Sequence, residues 1–133
     1  MAVKRITVNS VDIEDKPGSL HKFLNKAASA NVDLLCLAAF SVGRGKGRIY
    51  LSAKDQQAFE EFAKRSRIKT KTSAGFIISG DDEVGAAARA LQTMAKAKIN
   101  GLAGTAMVCD GQYHMLIVVD ADDADAAEKV LTA

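Results

Sequence analysis

Tryptophan is absent, aromatic residues make up only 5% of the chain, proline occurs once, cysteine twice, and the formal net charge is only +2. Each scarcity excludes something. A sheet that stacks single-stranded bases needs exposed aromatics on its central strands, and Tyr50 and Tyr113 do not form such a platform. A near-balanced charge offers no large basic field for nucleic acid or an anionic membrane. The cations Arg44, Lys46, Arg48, Lys64, Arg65, Arg67, Lys69 and Lys71 make at most a local basic patch. Cys36 and Cys109 have no CxxC partner, so both read as reduced thiols and small buried hydrophobes in a reducing compartment. No apolar run approaches the length of a transmembrane helix, and Met1–Arg5 carries no apolar signal core. The expectation is a cytoplasmic protein without a membrane or nucleic-acid partner.

Chemistry-bearing clusters are equally scarce. His21 and His114 have no ligand spacing for zinc, and no Ser/His/Asp or Cys/His constellation has a recognisable context. The run Asp120–Asp123 lacks the glycine and bidentate glutamate of a calcium loop and reads as the approach to a helix. Gly43–Arg48 looks like a phosphate cradle but lacks the following helix and the Lys-Ser/Thr ending, so a solvated hairpin tip is the better reading. No enzyme activity, metal or cofactor is expected.

What the chain does have is an internal repeat. Hydrophobic content of 48% against 26% charge is ordinary globular composition. At an offset of 67, Asp15 falls on Asp82, Gly18 on Gly85, Leu24 on Leu91, Val32 on Ile99, Phe40 on Met107 and Leu51 on Val118. The offset then becomes 68, where Asp55 meets Asp123, Ala58 meets Ala126 and Glu60 meets Glu128. Predicted elements and turns recur in the same order, which identities in an alanine-rich chain alone would not establish. Two modules follow, residues 1–67 and 68–133, each of roughly 65 residues and near the lower limit for a stable core.

The periodicities place the elements. Arg5–Ile13 is β-rich and changes phase around Asn9–Ser10, which predicts a bulge or kink inside a long strand. A turn at Glu14–Leu20 leads into a helix with Pro17 in its first turn, an apolar stripe of Leu20, Phe23, Leu24, Ala27 and Ala28, and Asn31 at its close. Leu34–Ser41 and Gly47–Ala53 form a hairpin, and Asp55 caps a helix that buries Ala58, Phe59, Phe62 and Ala63. Ile68–Ser79 is β-rich again. In the second half Val84, Ala87, Leu91, Met94 and Ala95 face inward from a helix, strands lie near Leu102–Cys109 and Tyr113–Val119, and the last helix buries Ala126, Ala127, Val130 and Leu131. Each half is β-α-β-β-α, the core of a ferredoxin-like, α+β arrangement. The first half takes its fourth strand from Ile68–Ser73, but the second half has no chain left after Leu131. We expect residues 1–6 to pair with the second module.

The run Val11-Asp12-Ile13-Glu14-Asp15-Lys16-Pro17-Gly18-Ser19-Leu20, followed by Ala30-Asn31-Val32-Asp33-Leu34, resembles the ACT domain, whose first helix is typically reached through Asp/Asn-x-Pro-Gly-x-Leu. Residues 70–131 match more loosely, with Asp82-Glu83-Val84-Gly85 in place of the proline form. The resemblance implies two βαββαβ ACT modules in tandem, antiparallel sheets with helices on one face, and a regulatory protein binding an amino acid or similar small effector where modules pair. A homodimer and a metabolic-enzyme partner are further implications; the alternative is a regulatory subunit with no ligand of its own. The candidate ligand-binding residues are Ile13, Asp15, Lys16, Pro17, Gly18, Ser19, Leu20 and Asp33, with Gly80, Asp82, Gly85 and Asn100 in the second half. Gly18 and Gly85 allow a carboxylate to approach free helix-start amides, while Asp33 or Asn100 accepts from an ammonium. Turn geometry alone also explains Pro17 and Gly18, helix capping explains Asp15, and a post-helix turn explains Asp33 and Asn100.

Overall fold

The computed structural model describes residues 1–133. In chain order the elements are β1 (Ala2–Glu14), α1 (Ser19–Ser29), β2 (Leu34–Gly43), β3 (Lys46–Ala53), α2 (Gln56–Arg65), β4 (Lys71–Asp81), α3 (Ala86–Lys96), β5 (Gly101–Cys109), β6 (Gln112–Val119) and α4 (Ala124–Leu131), with a 3-10 turn at Ala121–Asp123 before α4. The fold class is α+β, of the ferredoxin-like type that the order β-α-β-β-α dictates. The chain divides into two units: Thr7–Thr72, here the first unit, and Ser73–Ala133 together with Met1–Ile6, the second.

In the first unit β3 lies between β1 and β2. The β1–β3 register runs unbroken from Asn9↔Leu51 to Glu14↔Lys46, so the expected bulge at Asn9–Ser10 is absent. The apparent phase change has another cause. Odd-numbered Asn9 and Val11 face the helices, Asn9 exchanging two 2.8 Å amide hydrogen bonds with Gln56, while Ile6 and Val8 are buried at even positions of the same strand. The alternation is regular, with residues buried on both faces of the strand, so the apolar positions change parity along it. Helices α1 and α2 cover one face, burying Phe23, Ala27, Phe59, Phe62 and Ala63 against Ile49 and Leu51. Ala28, expected in that stripe, is exposed.

The helix ends are built alike. Val32 N–H reaches Ala27 O and Asn31 N–H reaches Ala28 O, with Asn31 left-handed at φ 59°. This is a Schellman close, and Arg67 (φ 54°) and Lys98 (φ 58°) repeat it after α2 and α3. The close at Arg67 delays β4 to Lys71, so residues 68–70 are not strand; Ile68 packs on the core instead. The cap expected at Asp55 is present, its carboxylate accepting from Gln57 and Ala58 N–H.

In the second unit β6 lies between β4 and β5, and the first residues of β1 flank β4. Val3 packs on this unit's core, and Arg5 Nη1 bonds Asp125 Oδ1 at 2.8 Å and Glu128 Oε1 at 3.0 Å, tying that strand segment to α4. Core residues include Phe76, Ile78, Met94, Ile117, Ala127 and Leu131. Helix α3 is rotated from the sequence expectation: Ala90 and Met94 are buried and Ala86 half-buried, whereas Val84, Ala87, Leu91 and Ala95 are exposed. The helix begins only at Ala86, after the turn that holds Val84, and a run of alanines gives no apolar stripe strong enough to fix the phase.

The paired registers also revise the repeat. Asn9 pairs with Leu51 and Phe76 with Ile117, so Leu51 corresponds to Ile117, not Val118. A register shift between Ser41 and Gly43 in β2, unmatched at the end of β5, accommodates one extra residue and lowers the offset to 66 along β3. The 3-10 turn before α4 then lengthens the second unit, so that buried Phe59 and Ala63 correspond to buried Ala127 and Leu131 at the expected 68.

Candidate ligand-binding turns

The two glycine turns have one geometry. Lys16-Pro17-Gly18-Ser19 closes with Ser19 N–H to Lys16 O at 3.2 Å, and Gly18 sits at φ 87°, ψ −13°. Glu83-Val84-Gly85-Ala86 closes with Ala86 N–H to Glu83 O at 3.2 Å, and Gly85 sits at φ 86°, ψ 4°. A left-handed third residue defines a type II turn, whose second position suits proline and tolerates valine. Pro17 therefore lies in the turn before α1 and not in its first helical turn. Both turns are anchored from behind by a hairpin tip, Asp15 N–H to Gly45 O and Asp82 N–H to Gly111 O, each at 2.9 Å.

Neither helix start is capped by a side chain. The first helical hydrogen bond of α1 is Lys22 N–H to Gly18 O, and that of α3 is Arg89 N–H to Gly85 O. The N–H groups of Leu20 and His21, and of Ala87 and Ala88, thus remain for an external acceptor. The capping role open to Asp15 is not used, because the cap position is Gly18. Lys16, Pro17 and Gly18 are exposed, with Ile13, Ser19 and Leu20 half-buried beside them. Lys16 Nζ meets Glu14 Oε2 at 2.7 Å, which holds the Glu14 carboxyl below its ordinary value and raises the Lys16 ammonium.

Asp33 and Asn100 lie elsewhere within their units. Each follows its helix, and an 11-residue α1 separates Gly18 from Asp33 by about 16 Å. One small molecule cannot touch both ends of that helix in one unit. Asp33 is occupied locally, its Oδ2 3.0 Å from Lys54 Nζ and its carbonyl accepting Lys54 N–H. Asn100 is exposed.

Gly80 has a different setting. A Cβ at this position would come within 3.2 Å of Tyr113 Cε1, so the absent side chain makes room for the ring. Both residues line a cavity of about 350 Å³ between α3, α4 and the adjoining ends of β4 and β6. Arg89 also lines it, with Nη2 2.8 Å from Glu83 Oε2 and Nη1 3.3 Å from Val84 O. The sequence concealed this group, since Glu83 opens the turn ahead of the helix and a spacing of six matches no helical pair. Cys109, expected to be buried, is exposed; Cys36 is half-buried, and burial pushes its thiol up. No three His, Cys, Asp or Glu side chains come together as a metal site, and no helix is long and apolar enough to cross a membrane.

Duplicated turns on a doubled βαββα plan are matched by a family model, the ACT domain pair, over residues 1–133. The chain belongs to the ACT domain pair family. Among curated proteins no sequence matches it. Among solved structures, this ACT domain pair is similar to a protein from Bacteroides thetaiotaomicron with a TM-score of 0.79 and 17% identity, covering 98% of this chain and 88% of that one. It is also similar to the regulatory subunit of aspartate kinase from Thermus thermophilus, with a TM-score of 0.66, 16% identity and coverage of 98% and 93%. The corresponding subunit from Thermus flavus gives 0.64, 17%, 98% and 94%. At these identities the likeness is one of fold.

Proposed function

We propose that this ACT domain pair is a non-catalytic regulatory protein that binds a small effector, an amino acid, at its glycine turns. The observation that carries the reading is the uncapped helix start behind a left-handed glycine, built the same way in both halves. Two unpartnered N–H groups at the positive end of a helix dipole favour a carboxylate, and a residue without a side chain lets it approach. Ile13, Asp15, Lys16, Pro17, Gly18, Ser19 and Leu20 form the first candidate site. Gly85, with Asp82 beside it, forms the second. Asp33 and Asn100 belong to it only if a ligand is shared with another module.

The test is a thermal-shift screen of the intact protein against the twenty amino acids, followed by calorimetry on any that respond. Ligand at 100 times its dissociation constant stabilises by about 2.7 kcal/mol. Gly18→Val should abolish the response of the first site. A response of undiminished affinity and stoichiometry in Gly18→Val would remove the first turn from the site.

A second reading, a regulatory subunit that docks on a metabolic enzyme without a ligand of its own, is favoured by the edge strands. Leu37, Phe40 and Val42 on β2, and Leu102, Met107 and Val108 on β5, are all exposed, and unpaired edges invite strand addition or self-association into a homodimer. Sedimentation of the purified chain alone and with a candidate enzyme separates these outcomes from the effector reading.

A further inference from the structure

We propose that the β5–β6 hairpin of the second unit carries a site for a soft monovalent cation of the Cu(I) class, formed by Met107, Cys109 and His114. The proposal goes beyond the effector reading and does not depend on it. Sequence spacing hides these donors, since a zinc motif is read from paired Cys and His and gives a methionine no weight. The strand register brings them together. Met107 pairs directly with His114, and Cys109 with Gln112. Residues two apart on a strand share a face, so all four side chains lie on one side of the hairpin. Tyr113 and Met115 take the other side, in the core shared with α3 and α4. Met107, Cys109 and His114 are all exposed, Met107 at 67%, so none of the three is there to fill a core.

The spacing suits one ion. Directly opposed Cβ atoms lie about 5 Å apart, and Cβ atoms two residues along a strand about 7 Å apart. Thioether, thiolate and imidazole reach a common point across those gaps. The turn Asp110-Gly111 is left-handed at both residues, φ 52° and 76°, a type I′ geometry that fixes the register beside the donors. Cys109 Sγ lies 3.7 Å from Asp110 Oδ2, so a carboxylate adds negative charge next to the ion. Gln112 is already committed, donating to Asp81 Oδ1 at 2.7 Å. The donor set decides the metal. Sulfur ligands with an imidazole select Cu(I). Zinc takes four ligands from Cys, His and carboxylates, and no three His, Cys, Asp or Glu side chains gather here. Binding involves no electron transfer: the Cys109 thiol gives its proton to solvent as the sulfur–metal bond forms, and the other two donors supply lone pairs. The first unit lacks the set, because Phe40 pairs with Arg48 at the corresponding place. One ion per chain follows.

The experiment is an anaerobic titration of the full chain with Cu(I) in competition with bicinchoninate, a chromophoric chelator, repeated with Ag(I) as a redox-inert probe. One equivalent should bind per chain. Met107→Leu, Cys109→Ser and His114→Gln, all at exposed positions where the fold does not depend on them, should each weaken binding at least tenfold, whereas Cys36→Ser should leave it unchanged. The His114 ring resonances should shift on adding Ag(I), and Zn(II) in tenfold excess should not displace Cu(I). No Cu(I) retained against the chelator overturns the proposal. So does full affinity in both Met107→Leu and His114→Gln with loss only in Cys109→Ser, which is the behaviour of a lone thiol. Half an equivalent per chain, an ion shared between two copies, overturns it as well.

Discussion

Truncating equivalent positions in the two halves should have very different costs. Phe62 is 3% exposed and touches Phe23 and Phe59 edge to face, at centroid distances of 6.0 and 6.2 Å. Phe→Ala in a core costs about 3–5 kcal/mol. Aromatic pairs add about 0.5–1.5 kcal/mol each beyond area, so Phe62→Ala belongs at the upper end, about 4–5 kcal/mol. Val130, at the corresponding place, is half-buried and already faces open space. Val130→Ala removes two carbons at about 0.8 kcal/mol each when fully buried. Partial exposure reduces that to about 1 kcal/mol, with no new cavity to add. Urea unfolding followed by far-UV circular dichroism gives both values from midpoints, provided the slopes agree. If the two costs fall within about 1 kcal/mol of each other, the ring-filled and ring-vacated cores are not what distinguishes the units.

Deleting Met1–Lys4 removes the Val3 contact and the strand that leads to Arg5. Hydrogen exchange should then show lost protection across residues 76–120 and little change across residues 34–53, whereas unchanged protection in 76–120 would mean that this strand segment carries no load. The Asp12 carboxylate, hydrogen-bonded by Arg48 Nε at 2.8 Å, is held below its ordinary value. Its contribution is full above the unfolded-state pKa and disappears as pH falls through the lower folded value. Because both side chains are substantially exposed, it is under about 1 kcal/mol. Urea midpoints of the unaltered chain and Arg48→Gln should differ slightly at neutral pH and converge in acid; a gap that widens in acid would reverse the sign.

The order of elements was legible because turn residues punctuate it: Pro17-Gly18, Asp55 and Asp110-Gly111 all mark boundaries that the structure keeps. Three features were not legible, each for a physical reason. The burial face of α3 was misread because alanine contributes little to a hydrophobic stripe, leaving Leu91 to suggest the wrong side. The apolar residues of β1 change parity between Val8 and Val11 without a bulge because the strand is buried on both faces, which no local pattern reveals. The offset along β3 was misjudged because an extra residue near Val42 is absorbed at a hairpin end, where side-chain alternation cannot register it. Of the candidate site, the glycine turns could be read from Pro17-Gly18 and its echo at Val84-Gly85. Arg89 could not, since its partners lie across a reversal of the chain.

The two halves share a turn and differ in where they keep their bulk. In the first unit Ile13 pairs across the sheet with Gly47, and a Cβ on that glycine would meet Ile13 Cγ1 at 3.3 Å. In the second the sizes are exchanged: Gly80 pairs with Tyr113, and the ring takes the space. The helices change in the same sense, from Phe23 and Phe62 to Ala90 and Val130. Bulk has thus moved from the helices and β1 to one tyrosine on β6. Ala90, Ala127 and Leu131 are nonetheless buried, so the second unit keeps a closed core around smaller residues. The cavity lined by Tyr113, Ala86 and Val130 lies beside the turn that both halves keep. A repeat whose turns share one backbone geometry while its cores differ in bulk keeps the scaffold and changes the packing laid on it.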